Sequence, residues 1–187
     1  GHHIDTNSLL ISPNHFIPFN LDSKEELPIS LNKQFDLAIS LEVAEHISKS
    51  NAERFVSHLT SRSSVIMFSA AVPYQGGTNH INEQWPSYWA EIFSKNDFFA
   101  IDYFRPKIWL NSNIPFYYKQ NLILFIKKSV YYNHEKLSKL EIVKKSEMLD
   151  MIHPNKWHMK NENDILSIKQ LITQIPRSLF RTIKRKL

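Results

Sequence analysis

The stretch FDLAISLEVAEHI, residues 35–47, changes character halfway along. Its first part is a short apolar run between polar flanks, which predicts a buried β-strand. Its second part gathers Glu42, Glu45 and His46 within five positions. A strand that ends in carboxylates and an imidazole, just before a helix, is typical of the rim of an open α/β sheet, where ligands bind. Downstream, residues 48–62 carry Ala52, Phe55, Val56 and Leu59 at helical spacing behind a Ser/Asn start. SSVIMFSAA (63–71) predicts a second buried strand, and VPYQGGTNHINEQW (72–85) a loop with the only adjacent glycines, Gly76 and Gly77. Pro86 suits the first turn of a helix over 86–96, because its missing N–H would have no partner there. FFAIDYF (98–104) and NLILFIKK (121–128) predict two more strands, the pair expected as an antiparallel hairpin. Upstream, NHFIPFNL (14–21) predicts one further strand ending near Asn20. The order implies an α/β sheet.

The bulk composition agrees with one folded domain. The chain has 187 residues, 42% of them hydrophobic and 22% charged, enough apolar material for a core and too little charge for wholesale disorder. No run approaches the roughly 18 apolar residues of a membrane span, and the N-terminal residues lack the basic and apolar regions of a secretory signal. With no cysteine, disulfides and thiolate metal sites are excluded; a cytoplasmic location is expected. The net charge of +5 is unevenly spread: residues 1–150 hold 15 Lys/Arg against 16 Asp/Glu, and residues 151–187 hold 8 against 2. The basicity is therefore a property of the tail.

Two carboxylate oxygens and an imidazole nitrogen suit a hard or borderline divalent ion. Glu42 and Glu45 are three apart and can share a helical face; the plainer reading is that they complement a helix N-terminus. TNHINEQW (78–85) follows the next strand and should fall on the same sheet edge. His80 is a candidate fourth ligand or general base, with Glu83 as the carboxylate that orients it. Alone, His80 would be read as an ordinary loop histidine. Trp85, Tyr88 and Trp89 are expected to pack, with one or two walling a pocket.

These residues carry a resemblance. FDLAISLEVAEHI, VIMFSAAVPYQGGTNHINEQWPSYWAEIF, FRPKIW and QNLILFIKK resemble the distal half of class I S-adenosylmethionine-dependent methyltransferases, especially bacterial methyltransferase-domain proteins associated with glycan or small-molecule biosynthesis. The resemblance implies a Rossmann-like sheet, strands 3–7 of seven, with the last antiparallel. It also implies S-adenosylmethionine as cofactor, with Asn20 and Leu21 near the adenine and Ser40, Leu41 and Glu42 near the methionine end. The family's acidic Gly-rich loop and ribose-binding acid have no counterpart in this sequence, so an N-terminally truncated fragment that is inactive alone is expected. EVAEH with a later histidine is also similar to the metal site of small-RNA 2′-O-methyltransferases, and its first part to ubiquinone-pathway O-methyltransferases. That likeness implies a divalent ion held by Glu42, Glu45, His46 and His80, with His46, His80 and Glu83 as catalytic candidates.

Three functions follow as expectations. The first is O-methyl transfer, less readily N-methyl transfer, to a small molecule or glycan. The second is a non-catalytic remnant serving as a binding or scaffold module, and the third is RNA modification. Nearly neutral charge over residues 1–150 opposes the third. The domain is expected to span residues 1–128, followed by a helical basic extension over 129–187. Within it, residues 165–187 predict an amphipathic helix interrupted at Pro176 and suited to peripheral contact with an anionic membrane.

Overall fold

The computed structural model describes residues 9–156. Four strands, β1 (Ala38–Leu41), β2 (Val65–Ser69), β3 (Phe98–Ile101) and β4 (Ile123–Lys127), form one sheet in the order β1-β2-β4-β3. β1 and β2 run parallel, while β4 runs antiparallel to both β2 and β3. β4 alone is therefore reversed. The connection from β1 to β2 is helix α1 (Ala52–Thr60), and that from β2 to β3 is helix α2 (Pro86–Lys95). Helices α3 (Arg105–Ile108) and α4 (Phe116–Asn121) lie between β3 and β4, and α5 (Lys128–Asn133) follows β4 directly.

Each element has a local cause. α1 buries Ala52, Phe55 and Val56 along the stripe that its spacing predicts. Asp22 anchors the chain just before it: Oδ1 accepts from Ser48 N–H and Oγ–H at 2.9 and 2.7 Å and from Asn51 Nδ2 at 2.9 Å. α2 begins at Pro86 and buries Trp89, Ala90, Ile92 and Phe93. Its second residue, Ser87, donates N–H and Oγ–H to Asp150 at 2.9 and 2.7 Å, a carboxylate placed at the positive end of the helix. The main core joins α1 and α2 to one face of the sheet through Ile66, Phe68, Phe98, Ile123 and Phe125. Phe93 stacks on Phe125 with centroids 3.8 Å apart and planes 12° from parallel. A smaller cluster of Ile101, Leu124, Ile126 and Tyr131 sits with Leu137, Leu140 and Ile142.

Four expectations change. Residues 14–21 form no strand; a 3₁₀ turn (Pro13–His15) precedes an irregular run. Pro18 cannot donate a ladder hydrogen bond, and β1 pairs only with β2, so the run joins no sheet. β3 and β4 do pair antiparallel, but two helices separate them, so they are not a hairpin. The domain does not end at residue 128: the compact unit continues to Met151. Leu149 is buried in the main core, and its carbonyl accepts from the buried Arg105 at 2.7 Å. Arg105 is fixed on its other side by a bidentate pair with Asp102, at 2.9 and 2.8 Å. Residues 134–151 are mostly irregular rather than helical. A second unit starts at Ile152, and the amphipathic segment 165–187 lies outside the described residues. Among the described residues no helix is long and apolar enough to cross a membrane.

Candidate metal centre

The parallel pairing of β1 with β2 puts the loops after both strands at one edge of the sheet. Glu42 makes the turn out of β1 with a left-handed backbone (φ 51°). Its N–H is shared between Ser69 O and Ser69 Oγ, at 3.0 and 3.1 Å, which ties it to the end of β2. A 3₁₀ turn (Ala44–His46) then presents Glu45 and His46. Glu45 O accepts from the N–H groups of Ile81 and Asn82, both at 3.0 Å, so the later loop is pinned to the earlier one. The two stretches singled out from the sequence are thus two sides of one site.

Glu45, His46 and His80 each offer a ligand atom within 4.8 Å of the others. Each histidine has a partner for its other nitrogen. His46 Nδ1 lies 3.1 Å from Asn79 O, and a carbonyl only accepts, so that nitrogen carries the proton. His80 Nδ1 lies 2.9 Å from Glu83 Oε1, which also accepts from Gly76 N–H at 2.8 Å. In the neutral tautomer with the proton on Nδ1, each arrangement turns an Nε2 lone pair toward the site, which is how ligating histidines are normally prepared. His80 Nε2 faces Glu45 Oε1 at 3.9 Å. The ring of His80 lies against Gly77, where a Cβ would overlap its atoms.

Glu45 is the residue that most needs explaining. It is 1% exposed, and neither carboxylate oxygen has a hydrogen-bond partner. Burial raises its pKa and the Glu42 charge adds to that, while its own nearby backbone N–H, which makes no geometric hydrogen bond to it, and the His46 and His80 charges act the other way. Leaving a buried carboxylate unpartnered is costly, and a cation at its oxygens would remove that cost. One carboxylate and two imidazoles are a fit donor set for Zn, Mn or Fe.

Glu42 is not part of this triad. Its carboxylate accepts from Gln75 Nε2 at 2.9 Å and from Asn121 Nδ2 at 3.2 and 3.3 Å. It faces the same open cleft, of about 410 Å³, which Leu41, Gly76, Tyr117 and Tyr118 also line. Of the other expected cofactor residues, Ser40 is buried within β1 with an unpartnered hydroxyl. Asn20 and Leu21 do not line the cleft: Asn20 Oδ1 caps a local turn at Asp22 N–H, and Leu21 packs on the main core. Glu83 stands behind His80, in the orienting place expected of it. Trp89 is core, as expected, and Trp85 is partly exposed before α2.

Sequence reasoning gave the α4 side no site role. Gln75, Gln120, Asn121, Tyr117 and Tyr118 build the cleft's remaining wall and support, yet the sequence marked Gln120 and Asn121 only as the start of the QNLILFIKK stretch and left 116–119 unread. Only the pairing of β4 with β2 brings α4 beside the first loop. Compared with protein-family models, with curated proteins and with solved structures, the chain matches none.

Proposed function

We propose that this chain carries the acceptor-binding half of an S-adenosylmethionine-dependent methyltransferase, in which Glu45, His46 and His80 hold a divalent ion beside an acceptor hydroxyl. The observation that carries the proposal is the buried Glu45 carboxylate, without a hydrogen-bond partner, facing two histidines whose Nδ1 atoms are held by Asn79 O and Glu83. The sheet order supports the finer fold reading, a Rossmann-like class I methyltransferase sheet whose last strand is reversed between its neighbours.

When bound, such an ion lowers the pKa of a hydroxyl that it touches and so makes the oxygen a better nucleophile at neutral pH. The protein's own part is positional. Asn79 O and Glu83 aim the two imidazoles, and the backbone bonds from Ile81 and Asn82 to Glu45 O fix the spacing. Methyl transfer is an in-line displacement whose rate depends on such positioning. Among the described residues, the acidic Gly-rich turn that the resemblance implies for S-adenosylmethionine has no counterpart. Their only glycines, Gly76 and Gly77, follow β2 and pack against His80 and Glu83. That lack favours a second reading, a metal-binding module without transfer activity. Chain 1–187 is accordingly expected to bind S-adenosylmethionine weakly or not at all in calorimetry.

Mn²⁺ titration followed by electron paramagnetic resonance tests the proposal. One site is expected in the wild type, lost in H46A and H80A. Equal Mn²⁺ affinity in the wild type and H80A would remove the metal centre. Transfer of a labelled methyl group to an oxygen, stimulated by Mn²⁺, separates the enzyme from the binding module.

A further inference from the structure

The cleft beside the metal triad has a second set of features that the ion does not use. Its back is a lattice of amides. Gln75 Oε1 accepts from Val72 N–H at 3.3 Å, Asn121 Nδ2 at 2.9 Å and Gln120 Nε2 at 3.3 Å. Because Val72 N–H can only donate, Gln75 must present its oxygen inward and its Nε2 to Glu42. Gln120 Nε2 also donates to Asn121 Oδ1 at 3.0 Å, so the Asn121 amide likewise turns its nitrogen to Glu42. Gln120 and Asn121 are buried at 0% and 2% exposure, whereas Glu42 is half-buried and lines the cleft. The lattice therefore holds one acceptor-only group at the opening, fixed at a left-handed backbone position.

Opposite chemistry forms the other wall. Tyr117 and Tyr118 meet edge to face, with centroids 4.7 Å apart and planes at 65°. They make a one-sided aromatic wall rather than a slot that sandwiches a flat ring. Among the described residues no Lys or Arg lines the cleft, and the Glu42 and Glu45 charges offset a divalent ion held at the triad, so no net charge is left to select an anionic ligand. A ligand that satisfies both walls is uncharged, has one C–H face and carries hydroxyl donors along its edge. The geometry points to a sugar ring as the occupant, its C–H face on Tyr117 and Tyr118, one hydroxyl donated to Glu42 and another at the Glu45–His46–His80 triad. This assignment rests on reading the cleft as an acceptor site and makes Glu42 a substrate-binding residue.

Saturation-transfer NMR on the full chain with Zn²⁺ and a panel of methyl hexopyranosides tests it. Catechol, cyclohexanol and a single-stranded oligoribonucleotide serve as comparison ligands. At least one glycoside should receive saturation on one ring face, and replacing Zn²⁺ by Mn²⁺ should broaden the hydroxyl-edge protons most. E42Q should weaken glycoside binding about five-fold or more, as loss of a charge-assisted hydrogen bond does. Its Mn²⁺ affinity should stay within about three-fold of wild type, as for a charge that neighbours the ion without ligating it. Y117A should weaken the glycoside further; the wild-type broadening pattern stands without that variant. No saturation of any glycoside, a preference for catechol or RNA, or equal binding by E42Q would overturn the assignment. Normal Mn²⁺ binding in the same samples would show that the metal centre survives that failure.

Discussion

At the scale of single residues, the site combines two costs that folding alone does not explain. Gly77 lies where a side chain would strike the His80 ring. G77A should therefore push His80 away from Glu45 and lower Mn²⁺ affinity about ten-fold, the size of loss that follows when a ligand's support is disturbed. Its circular dichroism should remain that of the wild type, because the overlap is with one side chain in a loop. Glu45 is the second cost. Its folded-state pKa is raised above the ordinary 4.5, so the folded protein holds the proton more tightly than the unfolded chain. The metal-free protein is thus penalised at neutral pH, and the penalty fades as pH falls through the raised pKa toward the unfolded value. E45Q should unfold at higher denaturant than wild type at about pH 7, by about 1 kcal/mol, with the gap closing in acid. Adding Zn²⁺ should stabilise the wild type and leave E45Q unmoved. A wild type that is the more stable protein without metal at neutral pH would mean that Glu45 has a partner.

Among the elements, what the sequence made legible and what it hid divide along a physical line. Strands β1 to β4 and helices α1 and α2 fall inside the stretches that periodicity marks, because burial in a sheet or against one face leaves a local pattern. The candidate triad was visible for a related reason: strand ends in an α/β sheet are ligand positions, and Glu45, His46 and His80 follow two of them. Glu42 looked equivalent to Glu45 by spacing, yet a left-handed φ at Glu42 turns it toward Gln75 and Asn121. Such a backbone choice depends on tertiary partners. So does α4, six residues without a full amphipathic repeat. The false strand at 14–21 shows the converse, since an apolar run needs a sheet edge to become a strand. The core's own test lies in the Phe93–Phe125 stack between α2 and β4. F93A removes a fully buried ring that also touches Phe68 and Phe98, and should cost about 3–5 kcal/mol. Urea unfolding measures this; a loss near that of a surface substitution would mean that α2 does not pack as described.

For the whole molecule, chain length separates the folded unit from the charge it carries. Ending the chain after Lys128 would remove Leu149 from the core, Asp150 from the start of α2, and the carbonyl that Arg105 Nη1 reaches at 2.7 Å. Loss of a buried leucine costs about 2–5 kcal/mol and loss of a helix-terminal partner about 1 kcal/mol, against a total of about 5–15 kcal/mol for an ordinary domain. That truncation should unfold at markedly lower urea, or not fold. Ending the chain after Met151 keeps all three groups and should leave the transition and Mn²⁺ binding close to wild type. The two truncations also differ from the full chain in charge. Residues 1–150 carry 15 basic against 16 acidic side chains, and residues 151–187 carry 8 against 2. If the tail is an electrostatic address for a membrane, each basic residue at an anionic surface contributes about 1 kcal/mol. The full chain should then sediment with vesicles containing phosphatidylserine, less so as salt rises, and the chain ending at Met151 should remain in the supernatant. Metal binding should be the same for both. Equal recovery of the full chain from neutral and anionic vesicles would leave the tail without a membrane role, and co-sedimentation of the Met151 truncation would place the contact on the folded unit instead.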